Sequence, residues 1–247
     1  MSQLVAEAKG GKATPQRKPQ IFAALGDLRD KVRKGESLDP ENNRLPDVAP
    51  ILDESQFFSQ FNGASSVPLS FLKANMSAKK TEEDYRQNGC LQSCRYMLMQ
   101  AGFTPQDVST SKYMVEVSFK KKDGFKKWLS GVASQAEAGK SRLDQLLTEG
   151  KPVIVGVNRS NKNARWTNYK PDGSLSPTDH FVVIVARQTM EDGTVAYRYF
   201  DPGRSHVDNG ASADNLLFQQ NEYIAAEGHK SRYTVSEVRN TKKEGLI

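Results

Sequence analysis

Three short segments of the chain hold the residue types that acyl-transfer chemistry needs, each at the end of an apolar element. They are Asn88-Gly89-Cys90-Leu91-Gln92-Ser93-Cys94, Thr178-Asp179-His180-Phe181-Val182-Val183 and Tyr199-Phe200-Asp201-Pro202-Gly203. Cys90 opens an apolar helix, His180 opens an apolar strand and Asp201 closes the next strand. A thiol nucleophile, its base and the carboxylate that orients the base require this order and placement. The chain has 2 cysteines and 3 histidines, so few other assignments exist. The implied chemistry is that of a cysteine hydrolase.

A free thiol is mostly protonated at neutral pH, and a helix N-terminus or a neighbouring imidazole corrects this. Cys90 follows Asn88-Gly89 at the start of its helix, where backbone amides and the helix dipole favour thiolate. Cys94 lies one turn further along the same face among apolar neighbours, where a cysteine behaves as a small hydrophobe. Cys90 is therefore the expected nucleophile, against the alternative that both are core residues. His180 has a rigid position at a strand end, with one ring nitrogen at the sheet edge. His206 and His229 fall in polar stretches and are weaker candidates for the base.

Asp201 can receive the imidazole N–H and fix its tautomer, although Asp-Pro-Gly is also a turn tripeptide in its own right. Asp179 is expected to cap its turn. For the oxyanion donor, the side chain of Gln87 beside the Cys90 N–H is one candidate, Asn88 is another, and an exposed loop glutamine is a third reading of Gln87. Cys90, Cys94 and His180 make an incomplete zinc set. No metal and no cofactor are expected.

These residues need elements to position them. Cys90, Cys94, Met97, Leu98 and Ala101 share one helical face that Gly102 ends. Tyr113, Val115, Val117 and Phe119 alternate as a strand does. Two helices are expected next, one through Phe125, Trp128, Leu129 and Val132, the other through Leu143, Leu146 and Leu147 up to Gly150. Val153 to Val157, Phe181 to Ala186 and Val195 to Phe200 read as strands, the last two joined through Glu191-Asp192-Gly193. A long polar loop is expected over residues 159–178, and a final strand over Tyr233 to Val238. Helices first and an antiparallel sheet afterwards give an α+β domain.

Residues 1–20 are polar and breaker-rich and are expected to form a flexible basic tail. Ile21, Leu25, Leu28 and Val32 recur at helical spacing, so residues 21–80 read as a helical and irregular extension, with a soft boundary at Ser77 to Asp84. Residues 81–247 then form the catalytic domain. A net charge of +6 is mild. Lys120-Lys121-Lys122 and Lys126-Lys127 read as a solvated turn and helix face, and no nucleic-acid module is present. There is no apolar run of membrane-span length and no secretory signal core. The expectation is synthesis in a reducing cytoplasm, with export independent of a cleavable signal left open.

The arrangement resembles the papain-like cysteine peptidase superfamily, and within it the peptidases that process bacteriocin leaders in association with ABC transporters. The likeness rests on Cys90 through Met97 to Gly102, on Gly150-Lys151-Pro152-Val153, on His180-Phe181-Val182-Val183 and on Asp201-Pro202, and spans roughly residues 85–205. It implies nucleophile Cys90, base His180 and orienting Asp201, with the cysteine-bearing helical part packed on the antiparallel sheet that carries His180 and Asp201. Leu91-Gln92 stands where those families have Gly-Pro, and their helper glutamine lies further upstream than Gln87. A basic tail without a transporter domain resembles papain-like bacterial toxins and effectors. That resemblance implies a protein or peptide substrate, and a cognate inhibitor, immunity protein or secretion chaperone as partner. Amide hydrolysis, including peptidoglycan stem peptides, is the first functional expectation. Deamidation or acyl transfer on a target side chain is the second, and a peptide-binding domain without catalysis is the third.

Overall fold

The computed structural model describes residues 45–112, 114–120, 126–131, 133–159, 177–219, 224–225 and 233–243. The expected tail, the Ile21 to Lys34 helix, Tyr113, His229 and most of the 159–178 loop lie outside the described residues. From Pro46 onward the described chain belongs to one compact unit, so the boundary expected at Ser77 to Asp84 falls inside it. The reason is local. Thr81-Glu82-Glu83-Asp84 is a capping box: the Thr81 hydroxyl accepts from the Asp84 N–H, and the Asp84 carboxylate accepts from the Thr81 N–H. It starts helix α2 (Glu82–Gln87), which follows α1 (Leu69–Asn75).

Only Asn88 and Gly89 separate α2 from α3 (Cys90–Gln100). Leu, Gln, Arg and Met give α3 strong helix formers. It ends as expected, with Gly102 at φ 76° just beyond. Its buried residues include Cys94, Met97 and Leu98. Next come β1 (Phe103–Lys112), β2 (Val115–Lys120) and β3 (Lys126–Gly131). The helix expected through Trp128 and Leu129 is instead strand β3, which pairs antiparallel with β2 and sets Lys126 opposite Lys120. So short an apolar pattern cannot separate the helix period from the strand period. Trp and Leu then take the ladder partners that β2 supplies. The helix α4 (Ala133–Thr148) follows where Leu143, Leu146 and Leu147 predict it.

The remaining strands are β4 (Val153–Arg159), β5 (His180–Thr189), β6 (Val195–Phe200), β7 (Leu216–Gln219), β8 (Ile224–Ala225) and β9 (Tyr233–Lys243). A one-turn helix, α5 (Val207–Gly210), sits between β6 and β7. Seven strands form one antiparallel sheet in the order β1-β9-β4-β5-β6-β7-β8, and β8 returns to pair with β9 at Ala225–Thr234. The sheet thus curls until six of its strands meet as a ring. Mixed helices and an antiparallel sheet make the chain α+β.

Alternation along the strands divides the core. Val153, Val155, Val182 and Ile184 pack with Leu143, Leu146 and Leu147 of α4. Ile154, Val183 and Val185 pack with Cys94, Met97 and Leu98 of α3. A register shift between Ile184 and Ala186 on β5 returns Arg187 to the α4 side. There Arg187 is 2 % exposed, and its Nη1 donates to Asp144 Oδ1 at 2.8 Å. Tyr197 also donates to that carboxylate oxygen, at 2.9 Å. The other Arg187 terminal nitrogen donates to the Pro46 carbonyl. Val48 bridges the Arg187 backbone and Ile51 donates to Val185 O, so residues 46–51 continue the sheet beside β5 where β4 ends.

Removing one partner of a buried ion pair leaves the other charge stranded. Asp144→Ala should therefore lower the free energy of unfolding in urea by about 3–5 kcal/mol. Asp144→Leu combined with Arg187→Met should recover most of that loss. An Asp144→Ala protein as stable as wild type would show that the pair holds nothing together.

Candidate active site

Cys90, His180 and Asp201 come together at the end of the sheet where β5 begins and β6 stops. By alternation His180 shares a face with Val182 and Ile184, and Asp201 with Tyr199. His180 is 3 % exposed and Asp201 1 %. His180 Nε2 lies 2.7 Å from Asp201 Oδ1. An ionised carboxylate only accepts, so Nε2 carries the proton of that bond. Cys90, half-buried at the start of α3, lies close enough to His180 for the imidazole to lower its pKa. With Nε2 engaged, Nδ1 is the ring nitrogen left for the thiol.

Asp201 is held from several directions. Its Oδ1 also accepts the Gly203 N–H at 2.8 Å. Its Oδ2 accepts the Tyr233 hydroxyl at 2.8 Å and Arg204 Nε at 3.3 Å. The Tyr233 ring packs beside the His180 ring, with centroids 5.6 Å apart. Gly203 leaves little room for a side chain: a Cβ there would stand 3.0 Å from His180 Cε1 and 3.0 Å from Asp201 Oδ1, so the pair would have to give by a few tenths of an ångström.

Burial works against charge at all three groups, and hydrogen bonding and charge pairing overcome it. For Asp201, burial raises the pKa, but His180, Tyr233 and the Gly203 amide bring it down to about 2. For His180, burial lowers it, but Asp201 and Cys90 raise it to about 9. For Cys90, burial raises it, while His180 and the backbone amides of Phe181 and Leu91 hold it below the ordinary thiol value. The arrangement favours a thiolate facing an imidazolium. Cys94 is the reverse case: burial, together with the Cys90 and Asp201 charges, pushes its thiol well above the ordinary range. It is fully buried, as an inert core cysteine should be.

The other expected residues separate from this cluster. Gln87 and Asn88 are both exposed, and each spends its carboxamide one turn back along α2. Gln87 Nε2 donates to Glu83 Oε1 at 2.9 Å, and Asn88 Nδ2 donates to Asp84 O at 2.8 Å. Neither is brought to the thiol as an oxyanion donor; the exposed reading of Gln87 fits. Asp179 Oδ1 accepts the Arg159 N–H at 2.9 Å, a bond to the end of β4 rather than a cap within its own turn. His206 is exposed at the start of α5. Tyr233 and Gly203 are the site residues that sequence reasoning misses. Tyr233 reads only as the first apolar residue of a strand, and Gly203 only as the end of a turn tripeptide. Among the described residues no group of three or more His, Cys, Asp or Glu could hold a metal ion, and no helix is long and apolar enough to cross a membrane. Comparison with protein-family models, curated proteins and solved structures finds no match for this chain.

The two shifts oppose each other in the pH dependence of stability. His180, raised from 6.5 to about 9, holds a proton in the folded state that the unfolded chain has lost. On its own it stabilises fully below pH 6.5, and that contribution disappears as pH rises towards about 9. Cys90, with its pKa lowered, has the opposite slope, because the folded thiol has lost a proton that the unfolded thiol keeps. Wild-type stability should therefore fall less steeply with pH across this window than that of Cys90→Ser, which lacks the opposing thiol contribution. Urea unfolding at several pH values tests this, and parallel curves for the two proteins would contradict the ion pair.

Proposed function

We propose that the protein is a papain-like cysteine hydrolase that cleaves an amide bond in a protein or peptide, with Cys90 as nucleophile, His180 as general acid and base, and Asp201 as orienting carboxylate. The observation that carries this reading is the buried 2.7 Å bond from His180 Nε2 to Asp201, with the Cys90 thiol close enough to the same ring for each to shift the other's pKa. A structural histidine needs no thiol partner at a helix start, and a binding domain needs none of the three.

In this reading the Cys90 thiolate attacks the acyl carbon, and the C–N bond breaks as the imidazolium gives its proton to the leaving amine. His180, neutral again, takes a proton from water, and the hydroxide formed attacks the thioester. The acid product leaves and Cys90 returns as thiolate beside the imidazolium. The N–H of Cys90, in the first turn of α3 where helical amides have no intrahelical acceptor, is the donor assigned to the oxyanion. Asp201 keeps its charge throughout, because four donors hold it ionised.

Wild type and Cys90→Ala should be incubated with a proteome-derived peptide library and the products read by mass spectrometry. New termini that need Cys90 support the proposal. Side-chain amides turned to acids without new termini would replace it with deamidation, and an unchanged library would reject catalysis on peptides. Asp201→Asn should retain weak turnover, reduced roughly 10³- to 10⁴-fold. Its amide oxygen can still accept from His180, while the Tyr233 hydroxyl turns to accept from the new NH₂. Cys94→Ala should stay active and lose about 1–2 kcal/mol of stability, because it opens a small cavity in the cluster shared with Met97 and Leu98.

A further inference from the structure

Gln60 lies outside the three catalytic segments, yet it ties the loop before the nucleophile to the turn after the aspartate. It is 4 % exposed. Its backbone N–H donates to Pro202 O at 2.9 Å, directly after Asp201. Its side-chain Nε2 donates to Arg86 O at 2.8 Å and to Gln87 O at 3.4 Å, the last carbonyls of α2. Arg86 Nη1 returns the contact by donating to Gln60 O at 3.3 Å and to Val67 O at 3.0 Å. Ser59 Oγ adds a bond to Pro202 O at 3.4 Å.

The position of these bonds gives them leverage. Gln87 O would otherwise be an orphan acceptor at a helix end. Arg86 O also receives the Gly89 N–H at 3.2 Å, and Gly89 caps the helix that begins with Cys90. One side chain therefore fixes the two-residue turn that aims the nucleophile, while its own backbone grips the turn that carries Asp201. Both Nε2 protons are spent on carbonyls, so Gln60 has no donor left for a substrate oxygen.

We infer that Gln60 is a positioning residue that sets the separation between Cys90 and the His180–Asp201 pair, and through it the thiolate character of Cys90. This rests on Cys90 and His180 forming the reactive pair proposed above.

The test needs no substrate. The full chain is alkylated with iodoacetamide across a range of pH, and the labelled peptide is mapped to separate Cys90 from buried Cys94. Gln60→Met keeps length and burial but deletes the donors. It should raise the apparent pKa of Cys90 alkylation by about one unit, so that labelling at a pH below the wild-type midpoint falls by up to about tenfold. Gln60→Glu should recover part of that shift, because a protonated carboxyl enclosed by carbonyls can donate one bond to Arg86 O. A folded Gln60→Met protein with the wild-type profile would overturn the inference. So would loss of the fold in both variants, which would make Gln60 a general stability residue. The outcomes are separable from the proposed function. A shifted profile without peptide cleavage rejects the hydrolase alone, and cleavage with an unshifted profile rejects the role of Gln60 alone.

Discussion

A carboxylate buried to 1 % exposure is the constraint around which this end of the molecule is arranged. Moving such a group out of water costs several kcal/mol unless its lone pairs are met. Asp201 is met by His180 from β5, by Tyr233 from β9, and by Gly203 and Arg204 from its own turn. Each donor is useful only if its element is in register, so the charge makes the convergence of β5, β6 and β9 a condition of its own burial. The meeting of Cys90, His180 and Asp201 is the by-product. An imidazole that must point Nε2 at Asp201 has only Nδ1 left to offer, and α3 places Cys90 there.

A second buried charge holds the other end of β5. His180 opens that strand, and Arg187, near its far end, is paired with Asp144 of α4 and with the backbone of residue 46. Between them lie Val182 to Val185, fully buried and alternating between two helices. Apolar packing alone would tolerate small slides of a valine-rich strand. Two ionised anchors of fixed geometry do not, because a displaced guanidinium or carboxylate loses its partner without regaining water.

The parts legible in the sequence were those with a local signal. The α3 helix, the β4, β5 and β6 strands, the Glu191-Asp192-Gly193 turn and the α4 leucines follow from period and punctuation, and the structure places them so. Cys90 and His180 stood out because scarce residue types occurred at element ends, and Asp201 because it closed the next strand. What stayed hidden depends on distant partners. Trp128 and Leu129 are at helical spacing, but pairing with β2 decides their state. The Tyr233 hydroxyl matters only through a carboxylate 32 residues away, and Gln60 only through carbonyls 26 and 27 away. Gln87 and Asn88 misled for the converse reason: adjacency to Cys90 suggested a role, but helix geometry turned their amides back along α2.

The return of β8 to β9 has a mechanical consequence. In an open sheet, an outer strand can slip by two residues and keep its side chains on the same faces. In a ring, every strand has a neighbour on both sides, and a slip anywhere changes the stagger that closure fixes. The residues at the rim of β5, β6 and β9 are therefore held by the whole hoop as well as by the loops that join them. Thermal excursions that would part His180 from Asp201 must strain the entire circumference, which leaves the helix bearing Cys90 as the softer half of the pair.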